Sequence, residues 1–225
     1  MSKYVVLSEK SWNSLLVSEL SLQTNDDWVL ISNKKDFNLE NLKKINPDKI
    51  FIPHWSYIIS ELIFNSYECI VFHMTDLPYG RGGSPLQNLI LLGHKNTKIS
   101  ALQVESGIDT GNIYLKKDLL LKGSAQEIYD RANEVIKDMI VEIVKTKPVP
   151  IKQKGKPTLF KRRKPSMSNM NVVESLDEVY DFIRMLDADG YPHAFLETEK
   201  LKFEFRNVSK QNNESLESYV RIIKK

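Results

Sequence analysis

The feature that most constrains the fold is a rhythm of short, unbroken apolar runs near the start of the chain. The runs cover residues 4–7, 28–31, 50–53 and 69–72, and each gap between them is long enough for a helix. Strands without in-and-out alternation are typical of a parallel sheet covered by helices on both faces. The rhythm therefore predicts an α/β fold with an open, doubly wound, mostly parallel sheet.

Three capping signals predict helices in the rest of the chain: Ser84-Pro85, Ser124 with Glu127, and Ser175 with Glu178. At the first of these, serine can cap a free amide, and proline at the first helical position has no donor to leave unpaired. The second precedes apolar residues at helical spacing, from Ile128 to Ile143, and gives the strongest helix prediction in the chain.

A change in composition predicts the domain boundary. Residues 152–164 contain many cations and few residues that could form a core, which indicates a connector packed on the surface. We therefore predict a Rossmann-like domain over residues 1–165 and a small C-terminal α+β subdomain over 166–225. Short strands are expected in that subdomain at residues 194–197 and 201–205.

Charge and cysteine content narrow the function classes. The 225 residues include 32 Lys plus Arg against 29 Asp plus Glu, so the net charge is +3, which disfavours nucleic acid as a partner. The one cysteine, Cys69, lies in an apolar run, so we expect a buried thiol and no disulfide within the chain. The N-terminus has no signal-peptide pattern, and no apolar run is long enough to span a membrane. We expect a cytoplasmic protein that does not bind membranes.

Two loops concentrate residues suited to chemistry. The first, residues 72–85, follows a predicted strand and contains His73 and three glycines, at the edge of the sheet where open α/β folds bind ligands. Its glycine spacing matches neither a P-loop nor a dinucleotide fingerprint, and a long structural turn is the alternative. The second, residues 106–111, lies between predicted strands at 99–104 and 113–121 and contains Asp109. No histidine or cysteine has metal-ligand spacing, so no metal is expected.

Motifs in three separated segments match one known family. They are His73 followed by Leu77-Pro78, Arg81-Gly82 and Pro85; the run Gly107-Ile108-Asp109-Thr110-Gly111; and the connector at 155–165 with the later Ile183-Arg184 and residues 191–195. Together they resemble the formyltransferases that use 10-formyltetrahydrofolate. The resemblance implies an enzyme with that cofactor and with His73 and Asp109 as catalytic residues.

The chemistry of formyl transfer explains this pair. An imidazole can exchange a proton near neutral pH and, as imidazolium, can face a developing oxyanion, while a carboxylate orients and stabilises it. A core histidine and a turn-forming aspartate are the alternatives. The family commonly has asparagine two positions before its histidine, where this chain has Val71. The oxyanion donor must therefore come from elsewhere; Asn88, His54, Ser56 or a backbone amide could substitute.

The resemblance also implies a slot for the flat pteridine of the cofactor. By position, the residues that would bind the cofactor are His54, Trp55, Ser56, Glu105, Ser106, Gly107 and Ile108, with Gly83 allowing close approach to the cofactor's linker. An apolar core role is the alternative for Trp55, and a strand-end cap is the alternative for His54.

Residues 53–56 and 72–78 look most similar to the branch of the family that acts on amino sugars. This branch implies a nucleotide-linked amino sugar as the acceptor, with a UDP-linked 4-amino-4,6-dideoxy hexose as the sharper expectation, and a homodimer through the C-terminal part. The alternatives are formylation of methionyl-tRNA or of an aminoacyl carrier, and a noncatalytic module that binds folate or sugar.

Overall fold

The computed structural model describes residues 1–10 and 13–225. The strands are β1 (Lys3–Ser8), β2 (Asp27–Ile31), β3 (Lys49–His54), β4 (Cys69–His73), β5 (Arg81–Gly82), β6 (Asn96–Gln103), β7 (Ile113–Leu120), β8 (Leu159–Phe160), β9 (Ala194–Glu197), β10 (Leu201–Lys210) and β11 (Leu216–Lys224). The helices are α1 (Ser14–Thr24), α2 (Leu39–Ile45), α3 (Glu61–Phe64), α4 (Pro85–Leu91), α5 (Ala125–Thr146) and α6 (Leu176–Arg184). None of the helices described is long and apolar enough to cross a lipid bilayer.

The chain divides into two compact units made of interleaved segments. The first unit contains Met1–Arg81, Lys98–Leu119 and Ala132–Leu159, and the second contains Gly82–Thr97, Leu120–Arg131 and Phe160–Lys225. Because both units use segments from several parts of the chain, they do not correspond to two successive stretches of sequence. The boundary at residue 165 stays a prediction.

The six-stranded sheet that dominates the first unit has the order β2-β1-β3-β4-β6-β7. The pairs β1–β2, β1–β3 and β3–β4 are parallel, and β4–β6 is antiparallel. The first four predicted apolar runs form β1 to β4, as expected for strands buried on both faces. The predicted α/β class with a mostly parallel, Rossmann-like sheet is confirmed.

One face of this sheet is covered by a continuous apolar cluster. Its fully buried members include Val5 and Leu7 on β1, Ile50 on β3, Leu42 on α2, and Cys69 on β4. Burial raises the pKa of the Cys69 thiol to about 12, so this thiol behaves as a small apolar side chain, as predicted. Outside this cluster, polar side chains lie at the carboxyl ends of β3 and β4.

The second unit contains the predicted small C-terminal sheet. Its strand order is β11-β10-β9, and both pairs are antiparallel. Strand β10 continues to Lys210, five residues beyond its predicted end at residue 205, and β11 was not predicted at all. Many residues of β11 are exposed, and its apolar residues do not alternate strictly with polar ones, which is the pattern typical of a half-buried strand.

The capping predictions differ in outcome. Ser124 and Glu127 form the expected reciprocal capping box at α5, and the Ser175 hydroxyl accepts the Glu178 amide at α6. Helix α4 begins at Pro85 as predicted, but the prediction that Ser84 caps it is wrong. Ser84 has φ of 53°, and its hydroxyl accepts the backbone amide of Arg163 instead.

Candidate functional site

His73 is the last residue of β4, at the carboxyl edge of the sheet, and only 7% of it is exposed. Its Nε2 lies 2.8 Å from the carbonyl oxygen of Gly80, within the glycine-containing loop. A carbonyl can only accept a hydrogen bond, so Nε2 is the N–H donor and the neutral ring is unprotonated at Nδ1. Nδ1 is therefore the ring nitrogen that could take up a proton.

Asp109 comes from the loop between β6 and β7, and its Oδ2 lies 3.5 Å from Nδ1 of His73. The two side chains are only 9% and 14% exposed, so their contact lies in a largely dry setting. A protonated Nδ1 would be stabilised by this negative charge. The structure thus brings together the two residues predicted to be catalytic, which are 36 positions apart in the sequence.

The loop that presents Asp109 is compact. Asp109 itself has φ of 53°, in the left-handed region that aspartate tolerates better than most residues. Thr110 donates its hydroxyl to the Ser106 carbonyl at 3.0 Å, which closes one turn of the loop. At Gly111 an added Cβ would overlap the carbonyl of Gln103, so the loop can return to the sheet only with glycine there.

A cavity of about 310 Å³ opens beside Asp109 in the first unit. Its lining combines apolar side chains with the loop: Ile58, Ile59, Glu61, Phe64, Val71, Leu102, Gln103, Val104, Glu105, Ser106, Gly107, Ile108, Asp109 and Thr110. This volume lies in the range of small-molecule sites, and apolar walls with exposed loop backbone suit a flat heteroaromatic ring. Four of the predicted cofactor-binding residues, at positions 105–108, line it.

The other predicted residues of the first unit lie elsewhere. His54 ends β3 and Trp55 and Ser56 follow it, but none of the three is among the residues described as lining this cavity. Trp55 packs against the apolar cluster of the sheet, edge to face with Phe37 at 5.9 Å, and Ser56 is exposed. Their binding of a cofactor stays a prediction.

His54 has a well-defined structural environment. Its Nε2 lies 2.9 Å from Oδ1 of Asn133 on α5, so the ring donates to an amide oxygen. Burial, the largest cause, lowers the pKa of His54 to about 4, and Lys10 also lowers it. His54 is therefore neutral at physiological pH and is suited to hydrogen bonding rather than to charge stabilisation.

Gly83 and Asn88 belong to the second unit. A Cβ added at Gly83 would lie 2.5 Å from Cβ of Arg162, which explains why glycine is needed whether or not a ligand approaches it. The amide nitrogen of Asn88 donates to the carbonyls of Gly83, Ser84 and Lys161. These bonds occupy the donors of Asn88 within its own unit, and its role as an oxyanion donor stays untested.

Sequence reasoning missed several residues around the site. Ile58, Ile59 and Phe64 line the cavity, and an apolar run just after a strand could have indicated them. Gln153, by contrast, lies in the cationic stretch predicted to be a surface connector, yet its amide donates to the carbonyl oxygen of Asp109 at 2.9 Å. Nothing in the local sequence distinguishes this glutamine.

Two family models match the chain. Residues 13–144 match the family described as formyl transferase, and residues 165–223 match the C-terminal domain of methionyl-tRNA formyltransferase. The chain belongs to the formyl transferase family. The predicted enzyme class is thereby confirmed, as is 10-formyltetrahydrofolate as the cofactor of this family, and the cavity beside Asp109 has the size and apolar walls that its flat ring requires.

Individual relatives agree with these matches. A solved structure of a methionyl-tRNA formyltransferase from Clostridium thermocellum superposes with a TM-score of 0.97 and 46% identity over the whole of both chains. The methionyl-tRNA formyltransferase of Caldanaerobacter subterraneus is 31% identical over 64% of this chain and 50% of its own length. This chain thus spans about half the length of the curated relatives it matches.

The sugar enzymes are more distant. A sugar N-formyltransferase from a Shewanella species superposes with a TM-score of 0.73 over 94% of this chain and 99% of its own, but at 14% identity this likeness shows the fold alone. The prediction of a nucleotide-linked amino sugar as acceptor is therefore wrong, because the C-terminal match and the most similar structures described above come from the methionyl-tRNA branch. The prediction that disfavoured nucleic acid as a partner is also wrong. That prediction used net charge alone.

Proposed function

We propose that this protein transfers a formyl group from 10-formyltetrahydrofolate to the amino group of methionyl-tRNA. The observation that most supports the reaction is the pair formed by His73 and Asp109, 3.5 Å apart beside a cavity suited to a flat ring. The support for the acceptor is the match of residues 165–223 to the C-terminal domain of methionyl-tRNA formyltransferase. Because aminoacyl-tRNA is made and used in the cytoplasm, we propose that compartment as the site of action.

The protein has to move protons in this reaction. The bound cofactor supplies a formyl carbon attached to a nitrogen that can leave. As the bond from the amine nitrogen to that carbon forms and the bond to the leaving nitrogen breaks, one proton must leave the amine and one must reach the leaving nitrogen. His73 takes the first proton at Nδ1 and returns it from the same atom, while Nε2–H remains bonded to Gly80.

Asp109 acts on His73 while the ring carries the transferred proton. When Nδ1 is protonated the ring becomes an imidazolium, and the carboxylate 3.5 Å away stabilises it in a setting of low solvent exposure. The same contact fixes the plane of the ring, so the proton is delivered in one direction. A positioned acid–base group of this kind typically accelerates a reaction by about 10²–10⁴-fold.

The decisive experiment compares acceptors under identical conditions. The purified protein is incubated with 10-formyltetrahydrofolate and, in separate reactions, methionyl-tRNA, uncharged tRNA, a methionyl-loaded carrier protein and a nucleotide-linked amino sugar. We expect the methionyl group released from tRNA to gain the mass of a formyl group in place of a hydrogen, with no change in the other reactions. Formylation of the carrier protein alone would overturn the proposed acceptor but retain the reaction, and no formylation of any acceptor would overturn both.

A further inference from the structure

Residues 151–158, most of which lie in the stretch 152–164 predicted to be a surface connector, contact both loops that carry His73 and Asp109. Ile151 forms a β-bridge with Ile113, directly after the loop of Asp109. At its other end, the Thr158 hydroxyl accepts the amide of Gly80 at 2.7 Å, and the Thr158 carbonyl accepts the amide of Arg81 at 3.0 Å. The segment therefore fixes the backbone on both sides of the pair.

Gln153 lies between these two anchor points and bonds to both loops through its side chain. Its Nε2 donates to the carbonyls of Asp109, at 2.9 Å, and Gly111, at 2.8 Å. Its Oε1 accepts two hydrogen bonds from the Arg81 guanidinium, at 3.2 Å from Nε and 2.7 Å from Nη2. Both amide hydrogens and the amide oxygen are thus engaged, so the side chain has one preferred orientation.

Together with the contact between His73 and Asp109, these hydrogen bonds form a closed ring of contacts. Arg81 directly follows Gly80, whose carbonyl binds Nε2 of His73, and Gln153 links Arg81 to the backbone of Asp109. The 3.5 Å contact between His73 and Asp109 completes the ring. Asp109 has a left-handed backbone that costs energy for a residue with a side chain, and such a conformation persists only where its surroundings hold it.

We propose that Gln153 is a positioning residue that sets the separation and orientation of Asp109 relative to His73. This inference rests on the proposed formyl transfer for its kinetic consequence but not for its structural one. A shift of about 1 Å in a catalytic group can lower a rate by about 10²-fold, because proton transfer and charge stabilisation depend steeply on geometry. An amide is required here because it donates on one side and accepts on the other.

The test uses Gln153→Met, which keeps the length of the side chain and removes its hydrogen bonds, and Gln153→Glu, which keeps the acceptor for Arg81 but cannot donate to Asp109. We expect Gln153→Met to lower kcat by about 10–100-fold while KM for the formyl donor changes by less than about 3-fold. Gln153→Glu should show a similar loss. Gln126→Met is the matched control, because Gln126 also donates and accepts side-chain hydrogen bonds, to Asp130 and from Asp189; its kcat should be unchanged.

A double-mutant cycle separates positioning from general stability. If Gln153 acts through Asp109, then Gln153→Met should cost less than about 3-fold in an Asp109→Asn background. A loss as large in that background as in the wild type would overturn the proposal. A loss of kcat that disappears when assays are run well below the thermal midpoint of the variant would overturn it as well.

A measurement without substrate makes the test independent of the proposed reaction. In the ligand-free protein, the 15N chemical shift of Nδ1 in His73 reports on the charge that faces it. We expect this shift to change in Gln153→Met and Gln153→Glu and to be unchanged in Gln126→Met. An unchanged Nδ1 shift in both Gln153 variants would overturn the positioning role, even if formylation of every acceptor failed.

Discussion

The carboxyl edge of the first sheet and the C-terminal hairpin of the second unit are built in opposite ways. At the sheet edge, His73 and Asp109 are nearly buried and are held by contacts from three separate segments. In the hairpin, Tyr219 and Ile222 of β11 are 71% and 62% exposed. The first arrangement suits a reaction that needs fixed geometry, and the second suits a surface that tolerates substitution.

The comparison also explains why the predicted acceptor was wrong. The amino-sugar prediction relied on residues 53–56 and 72–78, which lie in or beside the strands that present the reacting groups. Those strands are shared by enzymes with different acceptors, since the sugar enzymes have the same fold at low identity. The match that distinguishes the branch covers residues 165–223, which lie in the second unit.

The largest effect is expected at the catalytic pair. His73→Asn removes the proton-exchanging nitrogen, so kcat for formylation should fall by about 10²–10⁴-fold. Unfolding free energy should change by only about 1 kcal/mol, the usual net value of a hydrogen bond such as the one to Gly80. Single-turnover formylation and urea titration measure the two quantities. His94→Asn in the second unit is the control, and a kcat within 3-fold of wild type for His73→Asn would refute the assigned role.

The opposite outcome is expected at Arg184, the buried cation of the second unit. It pairs with Asp181 at 2.6 Å and donates to the carbonyls of Leu121 and Gly123. Arg184→Met leaves these acceptors unpaired, and unfolding free energy should fall by about 3 kcal/mol. The kcat of the folded fraction should be retained, as measured far below the thermal midpoint. A fall in the kcat of the folded fraction would contradict the expectation that Arg184 affects stability and not catalysis.

Stability should depend on pH through His54. The pKa of His54 is about 4 in the fold against 6.5 for an unperturbed histidine, so between these values the unfolded chain binds more protons. This contribution to stability is therefore complete above pH 6.5 and is lost as pH falls towards 4, by on the order of 3 kcal/mol in total. Urea titrations at several pH values measure the slope. In His54→Gln, which can still donate to Asn133, this part of the slope should disappear; a persisting slope would assign it to other groups.

A gain is expected at Val71. This residue lies two positions before His73 on β4, hence on the same face of the strand, and it lines the cavity beside Asp109. Val71→Asn adds an amide donor there and should raise kcat by about 10-fold, which is less than a preorganised oxyanion donor supplies. Val104→Asn adds an amide to the same cavity from another segment and should not raise kcat. An equal rise in both variants would show a general effect of polarity.

The smallest effects are expected in the C-terminal hairpin. Tyr219→Ser and Ile222→Ser each should change unfolding free energy by less than about 0.5 kcal/mol, because both side chains are already largely in water. Ile50→Ala, at a fully buried position of β3, should cost about 3 kcal/mol. Denaturant titrations of the three variants give the comparison. A large loss at Tyr219 or Ile222 would show that this face is covered in solution.

Much of the first sheet was predictable because its strands are buried on both faces, and such strands must be continuous apolar runs. His73 and Asp109 were singled out because the motifs around them resemble those of the formyltransferases, and their catalytic roles stay a prediction. Strand β11 was not predicted, because its apolar residues do not alternate strictly with polar ones. The actual bond of the Ser84 hydroxyl was also not predictable, since its donor, the amide of Arg163, is 79 residues away in the chain.

By itself, the sequence determined the parallel sheet, the long helix α5 and the two loops that carry His73 and Asp109, because apolar runs, capping and loop composition are local properties. Only the tertiary structure decided which nitrogen of His73 is available and that Gln153 holds the backbone of Asp109, 44 residues away. Hydrogen bonds between distant segments depend on where the folded chain places each donor and acceptor. No local pattern encodes that placement, so an ordinary glutamine in a cationic stretch becomes important only once the fold is known.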